Sequence, residues 1–211
     1  MNIMDYIEIY VEKEDYQKPI LSDDIFIYIK KRETDLTREK FNTYLSRYTN
    51  KNKNLVRYQK GIYYKTKRTP FGNVGIDYAN IVSEIYLMED EKIIGYETGP
   101  SFFNKIGLTT QMSKKTYIVT NNNRRKIKDL AEEIVLIKPI KEINNDNYRY
   151  FQFLDLLNNK FDVQIEAADY LYKLENFINK FDLNYKRLMA FAYEYNNNEI
   201  YKKLAQLAKG V

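Results

Sequence analysis

The chain of 211 residues contains no cysteine and no histidine. Without cysteine there can be no disulfide and no thiolate metal site. Without histidine, the commonest general base and the commonest metal ligand are missing together. Serine–histidine and cysteine–histidine nucleophile pairs are excluded, as are zinc sites built on those ligands. Glycine is scarce, at 7 residues, and no glycine-rich loop able to cradle a phosphate occurs. No run of about 18 apolar residues is present, so no membrane-spanning helix is expected. The opening Met1-Asn2-Ile3-Met4-Asp5 lacks the basic and apolar regions of a signal peptide. Together these absences predict a cytoplasmic protein with no cofactor, no metal and no membrane partner.

What is present is an ordinary core-forming composition, 44% hydrophobic and 30% charged, with an unusual distribution of charge. Residues 1–35 hold 5 basic and 9 acidic side chains. Residues 36–68 hold 10 basic side chains and one acidic, Glu39. Residues 69–211 hold 19 of each. The whole positive excess of the chain, net +5, therefore comes from one short stretch. A local basic block of this kind is the electrostatic footprint of a protein that meets a phosphate backbone.

Apolar spacing supplies the elements that carry the block. Met4, Ile7 and Val11 predict a helix over residues 2–13, broken by Gln17-Lys18-Pro19. Ser22 is a suitable N-cap, and Asp23 and Asp24 in the next turn suit the helix dipole. Ile25 and Ile29 then mark a short second helix ending near Lys31. Thr37 can cap a third helix whose apolar face is Phe41, Tyr44, Leu45 and Tyr48. Leu55-Val56-Arg57-Tyr58 and Ile62-Tyr63-Tyr64-Lys65 flank Gln59-Lys60-Gly61 as a hairpin. Three helices followed by a hairpin is the order of a winged helix-turn-helix, in which the third helix enters the major groove and the hairpin is the wing.

Thr69-Pro70-Phe71-Gly72 reads as a boundary. Beyond it, residues 78–89 have helical spacing at Ile81, Ile85 and Met88. Ile93-Ile94-Gly95-Tyr96 reads as extended. A helix from Thr98 or Ser101 through Ile106 is closed by Gly107. Lys115 to Thr120 alternates as a strand, with Tyr117 and Val119 on one side. Ile134-Val135-Leu136-Ile137 is a second strand, ended by Pro139. From Tyr148 the pattern is helical to the end. The expected fold is α+β: an N-terminal winged helix-turn-helix over residues 1–68, then a mixed α/β domain over 69–211 with a helical C-terminal tail.

On the third helix, the face opposite the apolar stripe carries Glu39, Thr43, Ser46 and Asn50, flanked by Arg38, Asn42 and Arg47. Arginine bonds guanine bidentately and asparagine bonds adenine likewise. Arg38, Asn42, Thr43, Ser46 and Arg47 are the candidates for reading bases. Lys40, Lys51, Lys53, Arg57, Lys60, Lys65, Lys67 and Arg68 are the candidates for holding phosphates, which set affinity and register rather than sequence choice. Tyr63 and Tyr64 could stack on a base, but packing the small wing against the third helix is the simpler expectation. A basic face alone does not choose between DNA and RNA duplexes.

The run Tyr96-Glu97-Thr98-Gly99-Pro100-Ser101-Phe102-Phe103-Asn104-Lys105-Ile106-Gly107-Leu108-Thr109-Thr110-Gln111, ending near Tyr117-Ile118-Val119-Thr120-Asn121, resembles the AbiEi family. These are the antitoxins of type IV toxin–antitoxin (abortive infection) systems of phage defence. Gln59-Lys60-Gly61-Ile62-Tyr63-Tyr64, the following Pro70-Phe71-Gly72 and the helical tail after Tyr148 are similar too. The resemblance implies a transcriptional autorepressor that binds inverted repeats of operator DNA in its own promoter. It also implies an antitoxin that counteracts a nucleotidyltransferase toxin without a stable complex. A monomer in solution that binds DNA cooperatively would fit, with Lys114, Lys115, Arg124, Arg125, Lys126 and Lys128 extending the basic surface. Gly107 to Gln111 itself reads as a helix stop: glycine for a left-handed turn, leucine turned inward, then hydroxyls that satisfy backbone groups.

Three other readings compete. A metal-dependent nuclease needs only carboxylates and lysine, and Glu132-Glu133 and Glu89-Asp90-Glu91 are the acidic clusters on offer. The second of these reads as a solvated turn, and no catalytic residues are expected. A protein-interaction module acting through the helical tail, or a plain transcriptional regulator without antitoxin activity, would leave the same basic block.

Overall fold

A computed structural model describes residues 2–123, 127 and 133–209 of the chain. They form an α+β protein of two compact units, Met1–Ile85 and Tyr86–Val211. The first unit thus runs past Arg68 to Ile85.

The first unit opens with α1, Ile3–Lys13, started by a reciprocal capping box between Asn2 and Asp5. Ile3, Ile7 and Val11 form its buried stripe. Strand β1, Pro19–Leu21, follows where the sequence suggests only a helix break. Helix α2 spans Ser22–Lys30 and α3 spans Arg38–Lys51. Ser22 is the first residue of α2 rather than its cap. The capping position falls on Leu21, which has no side-chain acceptor, because the chain leaves β1 directly into the helix. Thr37 does cap α3, its hydroxyl accepting the N–H of Lys40 at 3.3 Å. Strands β2, Leu55–Gln59, and β3, Ile62–Lys65, form the expected hairpin. The central β3 pairs antiparallel with both neighbours, so the sheet order is β1-β3-β2. One continuous core joins Ile7, Ile25, Ile29, Phe41, Leu45 and Tyr63. Full burial of each such side chain contributes about 1.5–3 kcal/mol.

A second, smaller hairpin comes next, where a domain boundary was expected. Its strands are β4, Arg68–Thr69, and β5, Gly72–Asn73. Helix α4, Tyr78–Val82, continues as a π-helical turn over Ser83–Leu87. Ile81 and Ile85 are buried at the spacing the sequence predicts, whereas Met88, expected on the same helical face, is exposed and belongs to a strand.

The second unit holds a short hairpin of β6, Met88–Glu89, and β7, Lys92–Ile93, turned by Asp90 and Glu91 at positive φ. Its main sheet has the order β10-β9-β8. Here β8 is Gly95–Thr98, β9 Thr116–Thr120 and β10 Ile134–Ile137, with β8 antiparallel and β10 parallel to β9. In β9 Ile118, Val119 and Thr120 are all buried, so both faces of the strand are covered at its C-terminal end. Helix α5, Gly99–Lys105, leads into the Gly107–Gln111 turn. The helical tail is α6, Tyr148–Asn158; α7, Tyr170–Lys180; α8, Tyr185–Ala192; and α9, Asn198–Lys209. No helix among the described residues is long and apolar enough to cross a membrane.

Candidate nucleic-acid interface

Helix α3 divides into two faces. Phe41, Leu45 and Tyr48 are buried and Tyr44 is half-buried, while Asn42, Thr43, Ser46, Arg47 and Asn50 are exposed together. The i, i+1, i+4, i+5, i+8 spacing places those five on one strip of the helix surface. The side chains of Asn42 and Ser46 make no hydrogen bond among the described residues. The Thr43 hydroxyl donates to the Glu39 carbonyl at 3.0 Å and keeps its lone pairs open to a ligand. The Arg47 guanidinium carbon lies 5.9 Å from the centre of the Tyr44 ring, at the outer reach of a cation–π contact.

Arg38 is not part of this strip. Its guanidinium pairs with the Asp23 carboxylate and lies 4.5 Å over the Phe26 ring, binding the start of α3 to the first turn of α2. A guanidinium engaged in this way has its charge and its planar face already in use. The sequence could not separate it from Arg47, because Asp23 is 15 positions away.

The phosphate candidates divide similarly. Lys40, Lys51, Lys53, Arg57 and Lys60 are exposed and form no ion pair among the described residues. Lys65 points back into the unit. Its ammonium donates to the carbonyls of Glu12 at 3.1 Å and Glu14 at 2.9 Å, closing the C-terminal end of α1, and it lies 4.8 Å from the Tyr16 ring. A cation at a helix C-terminus satisfies carbonyls that have no partner within the helix. Lys67 is exposed and rests 4.6 Å from the same ring. Arg68 lies in β4, and its side chain is outside the described residues.

Tyr63 and Tyr64 are each 9% exposed and are not stacking platforms. Tyr63 packs in the core, where burial pushes its hydroxyl above the ordinary tyrosine range. Lys114 and Lys115 are exposed in the second unit. Arg124, Arg125, Lys126 and Lys128 lie outside the described residues.

Two features carry no clear mark in the sequence. One is the tip of the second hairpin, where Phe71 is 101% exposed. Its signal, a Pro-Phe-Gly turn just past the basic stretch, is legible as a turn but not as an exposed aromatic. The other is Asp155 on α6, buried among Tyr150, Phe151, Phe153, Leu154 and Leu157. It accepts hydrogen bonds from Tyr96 at 3.1 Å and Tyr195 at 2.8 Å. Burial holds its carboxyl above the usual carboxylate range, against the opposing pull of the Tyr195 hydrogen bond. The one sequence signal is a lone acid in an apolar helix.

The Gly107–Gln111 turn is built as its chemistry suggests. Gly107 has φ +74°, Leu108 is fully buried, and the Thr109 hydroxyl accepts the N–H of Gln111 at 3.2 Å. Thr110 bonds the Glu166 carboxylate through both its N–H and its hydroxyl, and Lys173 donates to the Gly107 carbonyl at 2.6 Å. This turn therefore fastens the end of α5 to α7 and to the segment that leads into it. Beyond these features, no family model, no curated protein and no solved structure matches the chain.

Proposed function

We propose that this protein is a sequence-specific DNA-binding repressor of its own operon, with a winged helix-turn-helix as its first unit. The order α1-β1-α2-α3-β2-β3, with β3 central in the sheet, supports the winged-helix assignment. One observation carries the DNA reading. The face of α3 turned from the core presents Asn42, Thr43, Ser46 and Arg47, in a stretch with no acidic residue between Glu39 and Asp77. Asparagine and arginine supply bidentate base contacts, and the surrounding free lysines supply phosphate contacts. The β2–β3 hairpin, with Lys60 at its turn, is the wing.

The second half of the proposal is that the protein is the antitoxin of a type IV toxin–antitoxin pair, acting against a nucleotidyltransferase toxin without a stable complex. That half rests on the resemblance of residues 96–121 to the AbiEi family. In this reading the protein is cytoplasmic and not an enzyme, and its partner is double-stranded operator DNA. Gel-shift titration with the DNA upstream of its own gene, beside a scrambled duplex at two salt concentrations, tests the first half. Tight, salt-sensitive binding to the upstream duplex alone supports it, whereas equal weak binding to both duplexes contradicts it. Co-expression with the neighbouring nucleotidyltransferase tests the second half. Restored growth, with the two proteins eluting separately, supports it, and unrelieved toxicity overturns it.

A further inference from the structure

The β4–β5 hairpin is too short to add to the core and too well braced to be a slack loop. Arg68 pairs with Asn73 and Thr69 with Gly72. The Thr69 hydroxyl donates to the Gly72 carbonyl at 2.7 Å and accepts the N–H of Phe71 at 3.3 Å. Pro70 stands second in the four-residue turn and Gly72 fourth, at φ +110°, which is the pattern such a turn favours. The base is tied as well. The Thr66 hydroxyl donates to the Val74 carbonyl at 2.6 Å, and Val74 N–H donates to the Lys67 carbonyl at 3.1 Å. Thr66 N–H donates to the Asn54 carbonyl at 2.8 Å, which sets the hairpin beside the segment that leaves α3. The structure thus holds Pro70 exposed and Phe71 fully in solvent on a fixed stalk.

Phe71 is a large apolar side chain held clear of the core on an ordered tip, where it is free to meet a partner. Charge indicates its class. The hairpin lies inside the acid-free stretch between Glu39 and Asp77, directly after Lys67, and is tied through Asn54 to the segment that follows Lys51 and carries Lys53. An apolar tip within a stretch whose charges are all positive suits a polyanion that also offers an apolar interior. Duplex DNA is such a polyanion: its phosphates meet lysine and arginine, and its base steps accept a proline or phenylalanine wedge from the minor groove. We propose that Pro70 and Phe71 form a wedge that inserts between base pairs and partly unstacks them, as a second DNA contact beyond α3. This inference rests on the DNA-binding reading of the first unit.

The test uses the full-length protein with a duplex from upstream of its gene and, at low salt, a scrambled duplex. Both carry 2-aminopurine at successive positions and a donor–acceptor dye pair at the ends. Wild type is expected to raise the 2-aminopurine signal at one step and to shorten the end-to-end distance. Phe71→Ala, a change at a side chain with no packing role, is expected to lose both signals and weaken binding. Its salt dependence should be unchanged, because no phosphate contact is removed. Phe71→Leu, which keeps an apolar wedge, should retain both signals. Unstacking and bending by Phe71→Ala equal to wild type would overturn the wedge and leave the DNA-binding reading intact. Loss of self-association in Phe71→Ala, with DNA binding unaltered, would make the tip a protein contact and also overturn it. Failure of wild type to bind either duplex would overturn both readings.

Discussion

The two units handle polar groups in opposite ways. In the first unit, acids outnumber cations through Asp35, cations dominate from Arg38 to Arg68, and Lys40, Lys51, Lys53, Arg57 and Lys60 among them stand free in solvent. In the second, cations and acids nearly balance, and the distinctive polar group is inside: Asp155, held by two tyrosines. A segregated exposed charge does nothing for folding and acts on what comes from outside. A buried carboxylate with satisfied bonds acts on the fold, and the penalty of leaving its partners unpaired is large. The contrast assigns binding to the first unit and structural specification to the polar core of the second.

The largest expected effect is on that core. Asp155→Ala leaves the Tyr96 and Tyr195 hydroxyls without their buried acceptor and should destabilise the second unit by about 2–4 kcal/mol in denaturant unfolding. DNA binding by the first unit should survive at temperatures where the variant is folded. Loss of DNA binding in the folded variant would break the division.

The same carboxyl makes a pH prediction. Its native pKa is raised by burial, so the native state keeps a proton that the unfolded chain has already released. The stabilisation is fully present below the unfolded value of about 3.9 and is lost as pH rises through the native value. Asp155→Asn, which cannot ionise, should flatten the corresponding slope in melting temperature against pH. An unchanged slope would show that another group carries it.

The basic stretch can be divided experimentally. Lys65→Ala should lower the stability of the first unit by about 1–2 kcal/mol, because it opens the end of α1. Arg38→Ala should cost less, about 0.5–1 kcal/mol, since its pair with Asp23 is partly solvent-screened. Lys60→Ala should leave the melting temperature unchanged and lower the salt slope of DNA binding by about one. A salt slope lowered as much by Lys65→Ala would return that residue to the binding surface.

Much of the first unit is readable from spacing alone. Helices α1 and α3 and the β2–β3 hairpin declare themselves through periodic apolar positions, the Thr37 cap and the turn glycine Gly61. Strand β1 is not readable. It is three residues long, begins with proline, and exists only because β3, some forty positions later, offers an edge. The β4–β5 hairpin hides for the related reason that two-residue strands have no period. The basic face was legible as a block, but not its internal division. Which cations point home depends on Asp23 for Arg38 and on the end of α1 for Lys65, both distant in sequence. In the second unit, individual helices and strands were legible, whereas the parallel pairing of β9 with β10 and the burial of Asp155 arise only from tertiary packing.

The most direct test of the central claim, that the exposed strip of α3 reads bases, is the ratio of affinities for the upstream and scrambled duplexes, measured for wild type and Arg47→Ala. The account predicts a large ratio for wild type. In Arg47→Ala the upstream affinity should fall by about 1–3 kcal/mol while the scrambled affinity changes little, so that the ratio collapses. A ratio near one in wild type, or an equal loss on both duplexes in the variant, would contradict it.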